Sequence, residues 1–200
     1  MSAEPEPLVF PEPRIEWKLP PRGRVGMYGL IAAESAVFTI FVIAYLFYIG
    51  KSVTGPTPKE VLHFPVFITI CLLSSSITIH SAVKALESGK GGGFALFWIL
   101  TFALGAIFLA GTALEWRHLI YNEGLTIRTN LFGTTYYSLV GLHAFHVTVG
   151  LVALATVAVF ALLGHVKQAH AEPVGVFSLY WHFVDAVWVV VFTVVYVIGR

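Results

Sequence analysis

The apolar residues of this chain are gathered into five long runs, at about 25–49, 64–86, 94–114, 132–163 and 176–198. A helix that crosses a bilayer needs about 20 predominantly apolar residues, so each run predicts one transmembrane helix. The fold class expected is therefore all-α, an integral membrane bundle of five helices spanning residues 25–200. The fourth run is longer than the hydrocarbon layer requires, which puts its first turns, "LFGTTYY", in the headgroup region or tilts the helix. Between the runs lie "GKSVTGPTPKE", "ESGKGGG", "EWRHLIYNEGLTIRTN" and "GHVKQAHAEPVG", rich in turn-forming residues and too short for a separate soluble domain. Residues 1–24 read as an acidic, proline-rich, polyproline-like tail that ends in a basic cluster and lacks the apolar core of a cleavable signal peptide.

Composition agrees with the pattern: 57% hydrophobic and only 12% charged residues do not suit a soluble surface. A net charge of +1, with no basic run, gives no reason to expect a nucleic-acid partner. The single cysteine, Cys71, rules out an internal disulfide, a CxxC pair, a cysteine zinc cluster and covalent CxxCH haem attachment. Five spans put the termini on opposite sides. Lys and Arg are more numerous in the tail and in the second and fourth connections than on the other side, so the expected N-terminus is cytoplasmic and the C-terminus periplasmic.

Two carboxylates lie deep in the spans, Glu34 in "YGLIAAESAVFTIF" and Asp185 in "YWHFVDAVWVVVFTVVYVIG". Each is about ten residues from its helix start, which at 1.5 Å per residue is near the midplane. A central Asp costs about 2.5–3.5 kcal/mol on insertion scales, while the Val, Ile, Leu and Phe residues of 176–198 return about 4–8 kcal/mol, so the helix inserts with Asp185 turned inward. "GLHAFHVTVG" sets His143 and His146 at i, i+3 on one face, and His182 and Asp185 repeat that spacing. Three readings follow: an interhelical network in which Asp185 accepts from an imidazole N–H, a metal or haem site, and a proton relay through Glu34. The network is favoured because no further histidine–carboxylate motif completes a ligand set, and no metal is assigned. "SSSITIH" reads as small hydroxyl residues bonding back to the preceding turn, with His80 a lesser candidate. Glu115, Trp116 and Arg117 are expected to close the third helix at the membrane surface, with Glu115 a second lesser candidate.

These residues resemble subunit III of the haem–copper respiratory oxidases. "FGTTYYSLVGLHAFHVTVGL" is similar to that family's glycine-flanked HxxHVxxG helix, and "YWHFVDAVWVVVFTVVYVIG" to its C-terminal WHFVDxVW signature. Glu34 falls where the family keeps a buried glutamate, and "SSSITIH" and Glu115–Trp116 also correspond. The resemblance covers about 25–200 and points to the short, five-helix bacterial form, with a tail in place of two extra N-terminal helices. Thr112 stands where the family often has glutamine. The resemblance implies a subunit with no redox centre and no catalytic residue of its own, with haem and copper held by partner subunits I and II. It also implies phospholipid binding, packing on subunit I, support of proton uptake and oxygen access, and a location in the bacterial inner membrane. Glu34 would be the subunit I-facing acid, and His143, His146, Trp181, His182 and Asp185 the bundle framework. The other readings are a subunit of a quinol oxidase or nitric oxide reductase, a proton-coupled transporter, and a haem-binding membrane protein.

Overall fold

The computed structural model describes residues 21–200, so most of the predicted tail lies outside the described residues. The described chain is helical and without strands: α1 (Arg22–Tyr48), a single turn α2 (Pro58–Val61), α3 (Val66–Glu87), α4 (Gly91–Tyr121), α5 (Leu131–Leu162) and α6 (Ala171–Phe192). A 3₁₀ turn (Gln168–His170) precedes α6, and a π-helical turn (Thr193–Ile198) continues it. Apart from α2, these helices make five segments long and apolar enough to span a membrane.

Helix ends follow local chemistry. Gly89 and Gly164, both with φ near +70°, stop α3 and α5 in a left-handed residue that glycine adopts at no steric cost. Each end is closed by a six-residue backbone bond, Lys90 N–H to Ala85 O at 2.9 Å and His165 N–H to Phe160 O at 2.9 Å. The Asn130 side chain accepts from Gly133 N–H at 2.8 Å and caps α5, while its amide donates to the Thr54 and Pro56 carbonyls. That amide ties the first connection to the start of α5.

Three boundaries differ from the sequence reading. Gly91–Gly93 belong to α4 and not to a loop, because Gly89 alone makes the turn and Gly93 lets α4 approach Ala85 of α3. At its other end α4 runs through Glu115–Trp116–Arg117 for another turn, to Tyr121. Glu115 turns inward to meet Tyr196, so the charged triplet does not end the helix. Helix α6 begins earlier than expected, with Pro173 in its first turn, where a missing N–H removes no intrahelical bond.

Helix α6 sits at the centre, in contact with α1, α3 and α5; α4 packs on α3 and α5. Trp98, Trp181, Trp188, Tyr136, Tyr196 and Phe108 are fully buried. The outer faces expose Ile40, Phe67, Ile77, Leu96, Phe145 and Val152, the surface a lipid environment solvates.

Candidate functional site

Among the described residues, three polar groupings that contain a carboxylate cross between helices. The first joins α1 to α5. His146 Nδ1 lies 2.8 Å from the Leu142 carbonyl, which can only accept, so Nδ1 carries a proton. His146 Nε2 then faces Glu34 Oε2 at 3.2 Å. Two arrangements satisfy this contact: an imidazolium beside a carboxylate, or a neutral imidazole accepting from a carboxylic acid. In both, one proton lies between Nε2 and Oε2. The Phe38 ring, 5.0 Å from the imidazole, covers the pair, and Tyr180 OH donates to the His146 carbonyl at 3.1 Å. The His146 side chain is 8% exposed and the Glu34 side chain 28%, so the carboxyl is the end of the pair that reaches the outer surface.

The second grouping joins α3 to α6. Ser76 Oγ donates to Asp185 Oδ2 and lies 3.0 Å from His182 Nδ1. A hydroxyl has one proton to give, so His182 is the donor to Ser76 and the chain runs His182 to Ser76 to Asp185. One turn to either side, Trp181 Nε1–H donates to Ser75 Oγ at 2.8 Å and Trp188 Nε1–H to Thr69 Oγ1 at 3.2 Å. This corrects the expected partner of Asp185, which is a serine hydroxyl and not an imidazole. It also corrects the expectation that the "SSSITIH" hydroxyls bond back to their own turn. Ser75 and Thr78 do so, to Leu72 O and Ser75 O, but Ser76 does not.

His143 joins neither grouping. It is fully buried, stacks on Trp188 at 4.9 Å and meets the Phe108 edge at 5.6 Å, with no hydrogen-bond partner on either ring nitrogen. His143 and His146 are one turn apart, yet one faces the aromatic interior and the other faces α1. His80 is exposed on α3.

The third grouping lies where α4, α5 and the π turn meet. Tyr196 OH donates to Glu115 Oε1 at 3.0 Å, and Tyr136 OH is 3.4 Å from Tyr196 OH. No local spacing announces this contact, since Glu115 and Tyr196 are 81 residues apart. Among the described residues no three His, Cys, Asp or Glu side chains converge as a metal site would require. An apolar groove of about 290 Å³ runs between α1 and α6, lined by Phe38, Val42, Phe183 and Val190. Its two hydroxyls, Ser35 and Thr39, are bonded to carbonyls of their own helix.

Residues 24–200 match the family described as cytochrome c oxidase subunit III. A cytochrome c oxidase subunit 3 from Synechocystis is 38% identical over 179 residues, covering 86% of this chain and 75% of that protein. The probable cytochrome c oxidase subunit 3 of Mycobacterium tuberculosis is 34% identical, covering 85% of this chain and 86% of its own. That of Alkalihalophilus pseudofirmus is 32% identical over 88% of this chain and 86% of its own.

Proposed function

Because the chain belongs to the cytochrome c oxidase subunit III family, we propose that it serves as the non-catalytic third subunit of a proton-pumping terminal oxidase, in a bacterial inner membrane with its N-terminus in the cytoplasm. In this reading it packs on subunit I, leaves haem and copper to its partners, and sustains proton uptake. The Glu34–His146 pair carries the proposal: it holds one proton at membrane depth, and its carboxyl end is the more exposed. Ionisable groups at that depth are expensive and ordinarily face protein or water, so the Glu34 side of α1 is the face offered to subunit I. The α1–α6 groove, with its hydroxyls already satisfied, suits a lipid acyl chain and supports the lipid-binding role.

The test is removal of this chain from the purified oxidase. Haem absorbance should persist while turnover decays faster during catalysis, and Glu34→Gln in the intact complex should reproduce part of that decay. Loss of the haem spectrum on removal would overturn the division of labour.

A further inference from the structure

The Glu115–Tyr196–Tyr136 chain has no part in the role proposed above. Its chemistry differs from that of the other buried tyrosines of the bundle. Tyr137 OH donates to the Leu125 carbonyl and Tyr180 OH to the His146 carbonyl, and neither carbonyl is a base that can keep a proton. Tyr45 is buried with no partner on its hydroxyl. Tyr196 alone among these gives its hydroxyl to a carboxylate, Glu115 Oε1 at 3.0 Å.

A buried phenol is hard to oxidise while its proton has nowhere to go, because the radical cation left behind carries a charge in a low-dielectric interior. A carboxylate on the hydroxyl removes that obstacle. We propose that Tyr196 and Glu115 form a one-electron oxidation site, which takes up the hole left by a strongly oxidising species such as an oxygen-derived radical. Tyr196 gives one electron to that oxidant and its O–H proton to Glu115 Oε1. The products are a neutral phenoxyl radical, a carboxylic acid and the oxidant reduced by one electron.

Tyr136 extends the site. Its hydroxyl, 3.4 Å from that of Tyr196, passes one electron and its own proton to the Tyr196 oxygen. Tyr196 is restored, the radical rests on Tyr136, and the first proton stays on Glu115. A one-electron donor reverses the sequence and draws the proton back. Aromatic contacts bring holes to this point from two directions. Trp188 lies 6.4 Å from Tyr196, while Trp116 lies 5.3 Å from Tyr137 and Tyr137 5.2 Å from Tyr136, all between ring centroids. Glu115 also borders a cavity of about 260 Å³ shared with the exposed His63. The π turn sets Tyr196 in place, in keeping with the frequent occurrence of such turns at functional positions.

The test uses the full chain in mild detergent with flash-generated tris(bipyridine)ruthenium(III) as oxidant and electron paramagnetic resonance as readout. The wild-type chain should give a neutral tyrosyl signal that forms more slowly in D₂O, because proton and electron leave together. With the exposed Tyr28, Tyr48 and Tyr121 changed to phenylalanine so that the oxidant meets only buried phenols, Tyr196→Phe should lose that signal and Tyr45→Phe should keep it. Glu115→Gln should slow its formation by about tenfold, the rate equivalent of one lost charge-assisted hydrogen bond. A wild-type rate unchanged in D₂O would overturn the proposal without recourse to any variant. So would a full signal in Tyr196→Phe, or an undiminished rate in Glu115→Gln.

Discussion

Trp181 occupies a notch that Gly150 leaves open: a Cβ at Gly150 would lie 2.7 Å from Trp181 Cζ3. On the other side of the same ring, a Cβ at Gly105 would lie 2.8 Å from Cη2. A single indole thus holds α4, α5 and α6 together while its N–H reaches Ser75 on α3. Overpacking at such a contact costs about 1–3 kcal/mol, so Gly150→Ala should lower the thermal unfolding midpoint of the detergent-solubilised protein. Gly29→Ala, where nothing lies within 4 Å, is the comparison. Equal midpoints for the two variants would refute the notch.

The Glu34–His146 contact predicts non-additivity. If one shared proton is what the pair supplies, Glu34→Gln and His146→Ala should each shorten the number of turnovers the oxidase completes before inactivation. The double variant should then be no worse than the poorer single, because residues that act as a unit do not add. Independent, additive losses would show that the two side chains serve separate purposes.

Ser76 and Ser81 allow a controlled comparison on one helix. Ser81 bonds only to its own helix, whereas Ser76 connects α3 to both His182 and Asp185. Interhelical side-chain bonds in membranes average about 0.6 kcal/mol and reach about 1.7 kcal/mol. Ser76→Ala should therefore destabilise the bundle measurably and Ser81→Ala hardly at all. Asp185→Leu should also impair assembly, since it leaves the Ser76 hydroxyl without its acceptor. Denaturation in mixed micelles and recovery of assembled complex would read both effects.

Outside the spans, the Thr57 N–H and hydroxyl hold Glu60 below the ordinary carboxylate value of 4.5. A depressed acid contributes stability that is present above its unfolded value and lost as pH falls through its folded value. The α2 capping box should therefore persist through pH 4.5 and open only in more acidic solution. The Thr57 amide ¹⁵N shift should titrate with a midpoint below 4.5, and Glu60→Gln should abolish that titration. A midpoint at or above the ordinary value would contradict the contact.

The five spans were legible because apolar length is a local property that each segment carries by itself. The inward turn of Asp185 was legible for the same reason, since insertion energy is summed along one helix. Its partner was not, because Ser76 is 109 residues away and a hydroxyl in a helix has an acceptor within its own turn. The end of α4 was misjudged on similar grounds. Glu115–Trp116–Arg117 has the composition of a membrane surface, and only the distant Tyr196 makes Glu115 an interior residue. His143 and His146 share a spacing motif but not an environment. A turn of helix was enough to exchange an aromatic stack for a carboxylate, and spacing on one helix does not encode its neighbours.

The ribosome makes the central helix, α6, after α1 to α5. Until α6 enters the bilayer, Thr69, Ser75 and Ser76 on α3 lack the tryptophans, histidine and aspartate that meet them, and Gly105 and Gly150 border an empty slot. The earlier spans must wait in the membrane as a loosely associated set, and α6 locks them when it arrives. A nascent chain stalled before Ala171 therefore lacks the helix that fills the slot bordered by Gly105 and Gly150 and that fastens α3 through Ser75 and Ser76.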